Sequence, residues 1–312
     1  MLTQNRFQYR VATGKGTLPV ATLFTLILWG ITFIHDFKNI GSLFFIGLAA
    51  YLLLEANTQF ALIRTRTSLP SSLFLFFSAS MLFLQTKMPI CMLPALFMLM
   101  LFGLFKSYES KYASTTIFHA FLWISISSLI VPCIIWIVPL LFIHMIGLRS
   151  LTGKTFFAGL IGLGLPYWFL FAYSLYANRL EWFRAFMGKP FQFLPIDYTQ
   201  IAINQWISYG ITLVLLTIYI FLYTQSAYKD KVQTRIYLQT TCWIGCWICI
   251  LMFLQPQYIN ALLPIVLLVE AILGAHLFAL TYNRITRILF YFTLFSYFAI
   301  CSFNVWMHFF SY

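Results

Sequence analysis

Uninterrupted apolar runs dominate this chain and leave few folds open to it. Tyr209 to Tyr223 is one such run, fifteen residues without a single charge. About 20 apolar residues span a bilayer, so runs of this kind read as membrane-crossing helices. A transmembrane β-barrel needs strands of about 10 residues alternating apolar and polar, and that alternation is missing. A soluble fold is excluded by composition. Of 312 residues, 62% are hydrophobic and 8% charged, against about 25% charged in a soluble domain.

Eleven apolar passes can be read, over 19–34, 40–60, 71–86, 89–105, 115–131, 133–148, 155–177, 206–225, 236–254, 258–280 and 288–308. The expected fold is an all-α transmembrane bundle of about eleven spans in one integral domain, 1–312, with no soluble domain. Residues 1–18 form a polar segment ahead of the first pass. No small-residue cleavage site follows that pass, so it is expected to remain as the first helix.

Net charge is +12, from 19 Lys and Arg against 7 Asp and Glu. The cations sit in short loops between apolar runs and read as topology signals, not as a nucleic-acid surface. Fourteen of the 19 fall in one set of loops, from Arg6, Arg10 and Lys15 through Arg64, Arg66 and Arg149 to Arg284 and Arg287. The other set holds Lys38, Lys87, Arg179, Arg184 and Lys189. The positive-inside rule then puts the first set and the N-terminus in the cytoplasm, and the C-terminus outside.

Two regions depart from simple threading. Residues 106–114 and 149–154 are both basic, so the apolar stretch between them must cross twice or turn back. Pro132 lacks a backbone N–H and sits midway, which predicts two short helices or a re-entrant hairpin turning there. Non-helical backbone at that depth must be buried in protein, so the hairpin is expected to be central. Residues 178–205 form the longest non-spanning piece. Trp182, Phe183, Phe186 and Met187 alternate with Arg179, Arg184 and Lys189, as in an interfacial amphipathic helix ended by Gly188 and Pro190. It reads either as a plain interfacial loop or as a lid over a cavity.

Several patterns imitate chemistry. Thr152-Gly153-Lys154-Thr155 resembles the end of a phosphate-binding loop, but the position that must be Gly, with four residues between it and the Gly-Lys pair, is Leu148. Cys242, Cys246 and Cys249 have an iron–sulfur spacing, yet lie in a spanning run where they form a packing seam. The five histidines show no metal-ligand spacing. No metal or cofactor is expected.

Acidic residues are few and therefore informative. Glu270 lies about 18 Å along its helix from Tyr258, near mid-bilayer, and must face the bundle interior with a partner or stay protonated. Glu55, beside Asn57 and Gln59, reaches the interface instead. His35-Asp36 ends the first pass on the outer side, where Asp36 can serve as a general base or pair in water with its neighbour. Ala158 and Gly162 allow close helix approach, and Pro166 is expected to kink the seventh pass.

The order of these features resembles the membrane core of the GT-C superfamily, whose members transfer sugars from lipid-linked donors at the outer face. The likeness is carried by the hairpin 115–148, by 155–177 with its Gly-rich start and Pro166-Tyr167-Trp168, and by 255–280 with Gln257, Tyr258 and Pro264. The chain is also similar to polytopic proteins of Bacteroidota cell envelopes. The resemblance implies an inner-membrane protein handling a polyprenyl-phosphate-linked sugar. Asp36 and His35 would be catalytic; Arg179, Arg184, Lys189, Gln257, Tyr258 and Glu270 would bind substrate. The family's long first outer loop is reduced here to about His35–Ile40, and Gln257 replaces its basic residue. A relative that has lost transferase chemistry is therefore an alternative. Two other classes stay open: a lipid or small-amphiphile transporter using Glu270, and a non-catalytic subunit held by a membrane-protein partner.

Overall fold

The computed structural model describes residues 7–33, 40–85, 87–110, 112–192, 197–199 and 201–310. Among them there is no strand. Thirteen α-helices follow one another: α1 Phe7–Thr13, α2 Thr17–Phe33, α3 Ile40–Phe60, α4 Leu69–Ser80, α5 Met88–Lys106, α6 Ala113–Ile130, α7 Val138–Gly147, α8 Gly153–Tyr176, α9 Leu180–Gly188, α10 Ile203–Ser226, α11 Val232–Leu254, α12 Ile259–Leu280 and α13 Arg284–Phe310.

Among the described residues, each of the eleven apolar passes overlaps an α-helix. Among the described residues, eight helices are long and apolar enough to cross a membrane, or nine if α1 and α2, bent by 87°, count as one. The others are short. The 12 residues of α4 rise only about 18 Å, less than the roughly 30 Å of hydrocarbon. Pro132–Gly147 is likewise a shorter apolar stretch. Helix α1 was not expected within 1–18. It forms because Gln8 donates through Nε2 to the carbonyls of Phe278 and Thr281, 2.9 Å each, covering orphan acceptors at the end of α12.

The chain divides into two compact units. The first comprises Met1–Ala95, Tyr198–Cys242 and Leu263–Tyr312; the second comprises Leu96–Asp197 and Trp243–Leu262. In the first unit α4 packs against α2, α3 and α13, and α10 packs against α13. Eleven of the twelve α4 residues are buried. Helix α12 is more enclosed still, with every residue from 261 to 279 buried.

The second unit is built on the pairing of α6 with α8. A Cβ at Gly162 would lie 2.4 Å from the Phe118 carbonyl oxygen, and one at Gly159 3.3 Å from the Phe121 ring. The close-contact pair is thus Gly159 and Gly162, while Ala158 is only half-buried. Helix α8 continues through Pro166, and Ser125 of α6 donates at 2.7 Å to the Leu163 carbonyl in the turn that the proline loosens.

The predicted break at Pro132 is present. α6 ends at Ile130, Val131 is extended, and Pro132–Ile137 forms a 3-10 turn leading into α7. The chain returns to the end it left: the Glu109 N–H donates to the Leu148 carbonyl at 3.1 Å, and Arg149 pairs with Glu109 at 2.9 Å. The turn itself is buried, as backbone at depth requires. Beyond the turn, α7 leaves Ile143 and Ile146 about 60% exposed. Thr152 and Thr155 form a reciprocal capping box opening α8, so the phosphate-loop lookalike is a helix cap.

Candidate functional site

Two constellations of polar side chains stand out, one in each unit. The first lies on the second unit, at the end of α8 opposite the Arg149 loop. The 24 residues of α8 separate the two ends by about 36 Å. Past Asn178, which closes α8 with φ of 51°, comes α9. No α9 residue is fully buried, as suits a helix lying at an interface. Phe183 packs on Phe171 of α8 with ring centroids 5.3 Å apart, and Trp182 stacks on Phe186 at 5.8 Å. The helix ends at Gly188, as the sequence predicts, and Lys189–Phe191 forms a 3-10 turn.

Arg179, Arg184 and Lys189 are exposed. Among the described residues none of the three has an ion-pair partner. Lys189 Nζ lies 5.5 Å from the centre of the Phe186 ring, and an open cleft of about 460 Å³ is lined by Asn178, Arg179, Leu180, Glu181 and Trp182. The region is tied to the Pro132 turn. Trp136 donates through Nε1 to the Pro190 carbonyl at 3.0 Å, and Trp247 of α11 donates to the Trp136 carbonyl at 2.9 Å. Gln257 is exposed and Tyr258 half-buried; the Tyr258 phenol bonds the Gln257 side chain and lies within electrostatic reach of Cys133 in the same turn. Arg179, Arg184, Lys189, Gln257 and Tyr258 therefore belong to one unit. Asp36 and His35 fall outside the described residues.

Glu270 carries the second constellation. It belongs to the first unit and is completely buried, so it faces no open surface. The Tyr297 hydroxyl donates to Oε2 at 2.6 Å, while Oε1 has no hydrogen-bond partner. This pair is one rung of a ladder that the apolar pattern concealed. Helix α10 carries Ser208, Thr212, Tyr219 and Tyr223 on one face, and α13 carries Thr293, Tyr297 and Asn304 on the facing one. Asn204 donates to Asn304 at 3.0 Å, Asn304 reaches Ser208 at 3.5 Å, Thr212 lies 3.4 Å from the Tyr297 hydroxyl, and Tyr219 bonds Thr293 at 2.6 Å. Gly274 makes room for this register, since a Cβ there would meet the Tyr219 ring at 3.1 Å.

At the far end of α10 the ladder meets charge. His276 Nε2 lies 3.1 Å from Asp230 Oδ2, with both side chains buried, and Arg64 holds the other carboxylate oxygen at 3.1 Å. Tyr223 sets its ring edge-on to the His276 imidazole at 5.4 Å. Burial pushes the Asp230 carboxyl up, but hydrogen bonding and charge from His276, then Arg64, outweigh it and hold it below the ordinary carboxylate range. Sequence inspection isolated Glu270 alone. The signal for the rest was available as polar residues recurring every four or seven positions in α10 and α13.

No family model, no curated protein and no solved structure matches this chain. Function must therefore be argued from these two constellations.

Proposed function

We propose that the protein is an envelope membrane protein that engages an anionic, lipid-linked glycan at the non-cytoplasmic face through α9 and the adjoining turns. The observation carrying this reading is the set of exposed cations without ion-pair partners, Arg184 on and Arg179 and Lys189 flanking an aromatic-rich helix with no buried residue. A polyprenyl phosphate presents its headgroup at the depth such a helix occupies, and each cation near an anionic surface contributes about 1 kcal/mol. Tyr258, Gln257 and the Pro132 turn supply neighbouring polar and apolar contacts. In this reading the chain crosses the inner membrane about eleven times in a GT-C-like arrangement, with the short helices around α4 and α7 completing the count. The Arg64 and Arg149 loops face the cytoplasm, the N-terminus lies inside and the C-terminus outside. Asp36 would act as the base of a sugar transfer, and Asp36→Asn would abolish transfer without affecting donor binding.

The test is binding of a polyprenyl phosphate by the full chain in lipid nanodiscs. Replacing Arg179, Arg184 and Lys189 together by Ala should weaken it roughly a hundredfold, the equivalent of three lost headgroup contacts. Equal binding by the triple variant would end this reading. Labelling of a cysteine introduced at 184 from the outer side only would support the orientation.

A further inference from the structure

The buried ladder of the first unit plays no part in that reading, and it invites a separate one. We propose that Glu270 is an intramembrane proton-binding site that exchanges with the aqueous phase at the Asp230 end, by way of His276. The first unit would then take up and release a proton at mid-membrane.

Geometry carries the inference. An ionisable group inside a spanning helix is costly and is kept where it has work to do. Glu270 is completely enclosed, yet only one of its two oxygens is bonded. Six positions on, about 9 Å along the α12 axis, the His276 Nδ1 is also buried without a hydrogen-bond partner. Two unsatisfied proton-accepting atoms thus lie on one helix, and α10 sets two phenols beside them. Tyr219 interacts electrostatically with Glu270, and Tyr223 lies against the imidazole. Arg64, which holds Asp230, is about half exposed, so this end of the ladder opens to water.

The groups around the path are few. Tyr297 and Tyr219 face Glu270, and α4 brings no titratable side chain. Around His276 stand Asp230 and Tyr223, with Arg64 behind Asp230; Arg235 and Cys242 of α11 act on Tyr223. At the opposite end Asn204, Asn304, Ser208 and Thr212 form hydrogen bonds but carry no group that titrates near neutral pH.

The transfer balances as follows. An imidazolium N–H bond of His276 breaks and an O–H bond forms at Glu270 Oε1. Tyr223 against the imidazole and Tyr219 beside Glu270 line the way between, and each phenol that relays the proton gives one up as it takes one. His276 is reprotonated from the bath, and Asp230 keeps its charge throughout to stabilise the imidazolium. Release runs the same steps in reverse.

The experiment is infrared spectroscopy on the purified full chain in nanodiscs. A protonated Glu270 should give a carboxylic-acid carbonyl band that Glu270→Gln removes. On transfer to D₂O the band should shift as the proton exchanges. His276→Gln should slow that shift roughly a hundredfold, the lower end of what a positioned proton donor contributes, while leaving the band itself in place. Asn204→Ala, at the opposite end, should leave the rate unchanged. If Glu270→Gln fails to fold, Tyr297→Phe makes the assignment, because losing that donor must move the Glu270 band. The proposal is overturned if no such band appears from about pH 5 to 9, if it never exchanges, if His276→Gln exchanges as fast as the parent, or if Asn204→Ala slows it instead.

Discussion

The two units use the same apolar alphabet to opposite ends. In the second unit the polar side chains that carry charge point outward, and the interior is closed by small residues. Gly103, Gly159 and Gly162 bring α5 and α8 onto α6 so closely that a Cβ at Gly103 would stand 2.7 Å from the Thr116 carbonyl oxygen. Interhelical hydrogen bonds sit beside that close packing, from Ser125 to the Leu163 carbonyl and from Ser128 to Tyr167 at 2.6 Å. In the first unit the interior itself is polar along one line, where side chain bonds side chain from helix to helix: Glu270 to Tyr297, Tyr219 to Thr293, Asn204 to Asn304. Helix association in lipid has no hydrophobic drive and relies on close packing and interhelical hydrogen bonds. One unit leans mainly on the first device and the other on the second.

That contrast can be broken at its strongest points. Gly162→Val should be the most damaging change, because its Cβ would meet backbone and not a side-chain tip. A loss of more than about 3 kcal/mol is expected, read as failure to recover folded protein in detergent. If the variant folds with near-parental stability, the α6–α8 seam is looser than its geometry.

Asp230→Asn comes next, at about 3 kcal/mol, since it leaves His276 and Arg64 without their shared anion. The pH dependence has a definite sign. The folded-state pKa of Asp230 is depressed, so its stabilisation is present above the ordinary carboxylate value and is lost as pH falls through the lower, folded-state one. Parent and variant should therefore differ in melting temperature at neutral pH and converge in strong acid. A difference that grows on acidification would contradict the assignment.

Tyr297→Phe should cost about 1.5 kcal/mol by leaving both Glu270 oxygens unbonded. Ser128→Ala in the second unit should cost less, about 0.6 kcal/mol, the usual worth of a side-chain hydrogen bond between membrane helices. Denaturation of the two variants in matched detergent would rank them; the reverse order would erase the distinction between the units. The Arg179, Arg184 and Lys189 triple variant should change stability by no more than about 0.5 kcal/mol, because the three side chains are exposed and unpaired.

Local features were legible in the sequence for local reasons. Pro132 removes a backbone donor midway along its apolar stretch, Gly188 and Pro190 stop α9, and a run of apolar residues becomes helix because lipid offers its backbone no other partner. The enclosed position of Glu270 followed from the cost of a charge at depth. Its partner did not, since Tyr297 comes 27 positions later in a different helix. Gln8 lies in the polar segment ahead of the first pass, where hydropathy gives it no role, yet its amide ties α1 to carbonyls about 270 residues away.

Hydropathy and loop charge alone determined the class of this protein, the position of its apolar helices and the surface character of α9, because transfer from water to hydrocarbon acts on each segment separately. Only the tertiary structure decided that α12 is buried along nearly its whole length, that Asp230 and His276 meet Arg64, and that isolated hydroxyls on α10 and α13 join into one ladder. Those outcomes depend on which helices become neighbours and in what register, and hydrogen bonds across such an interface leave no mark on the hydropathy of either helix alone.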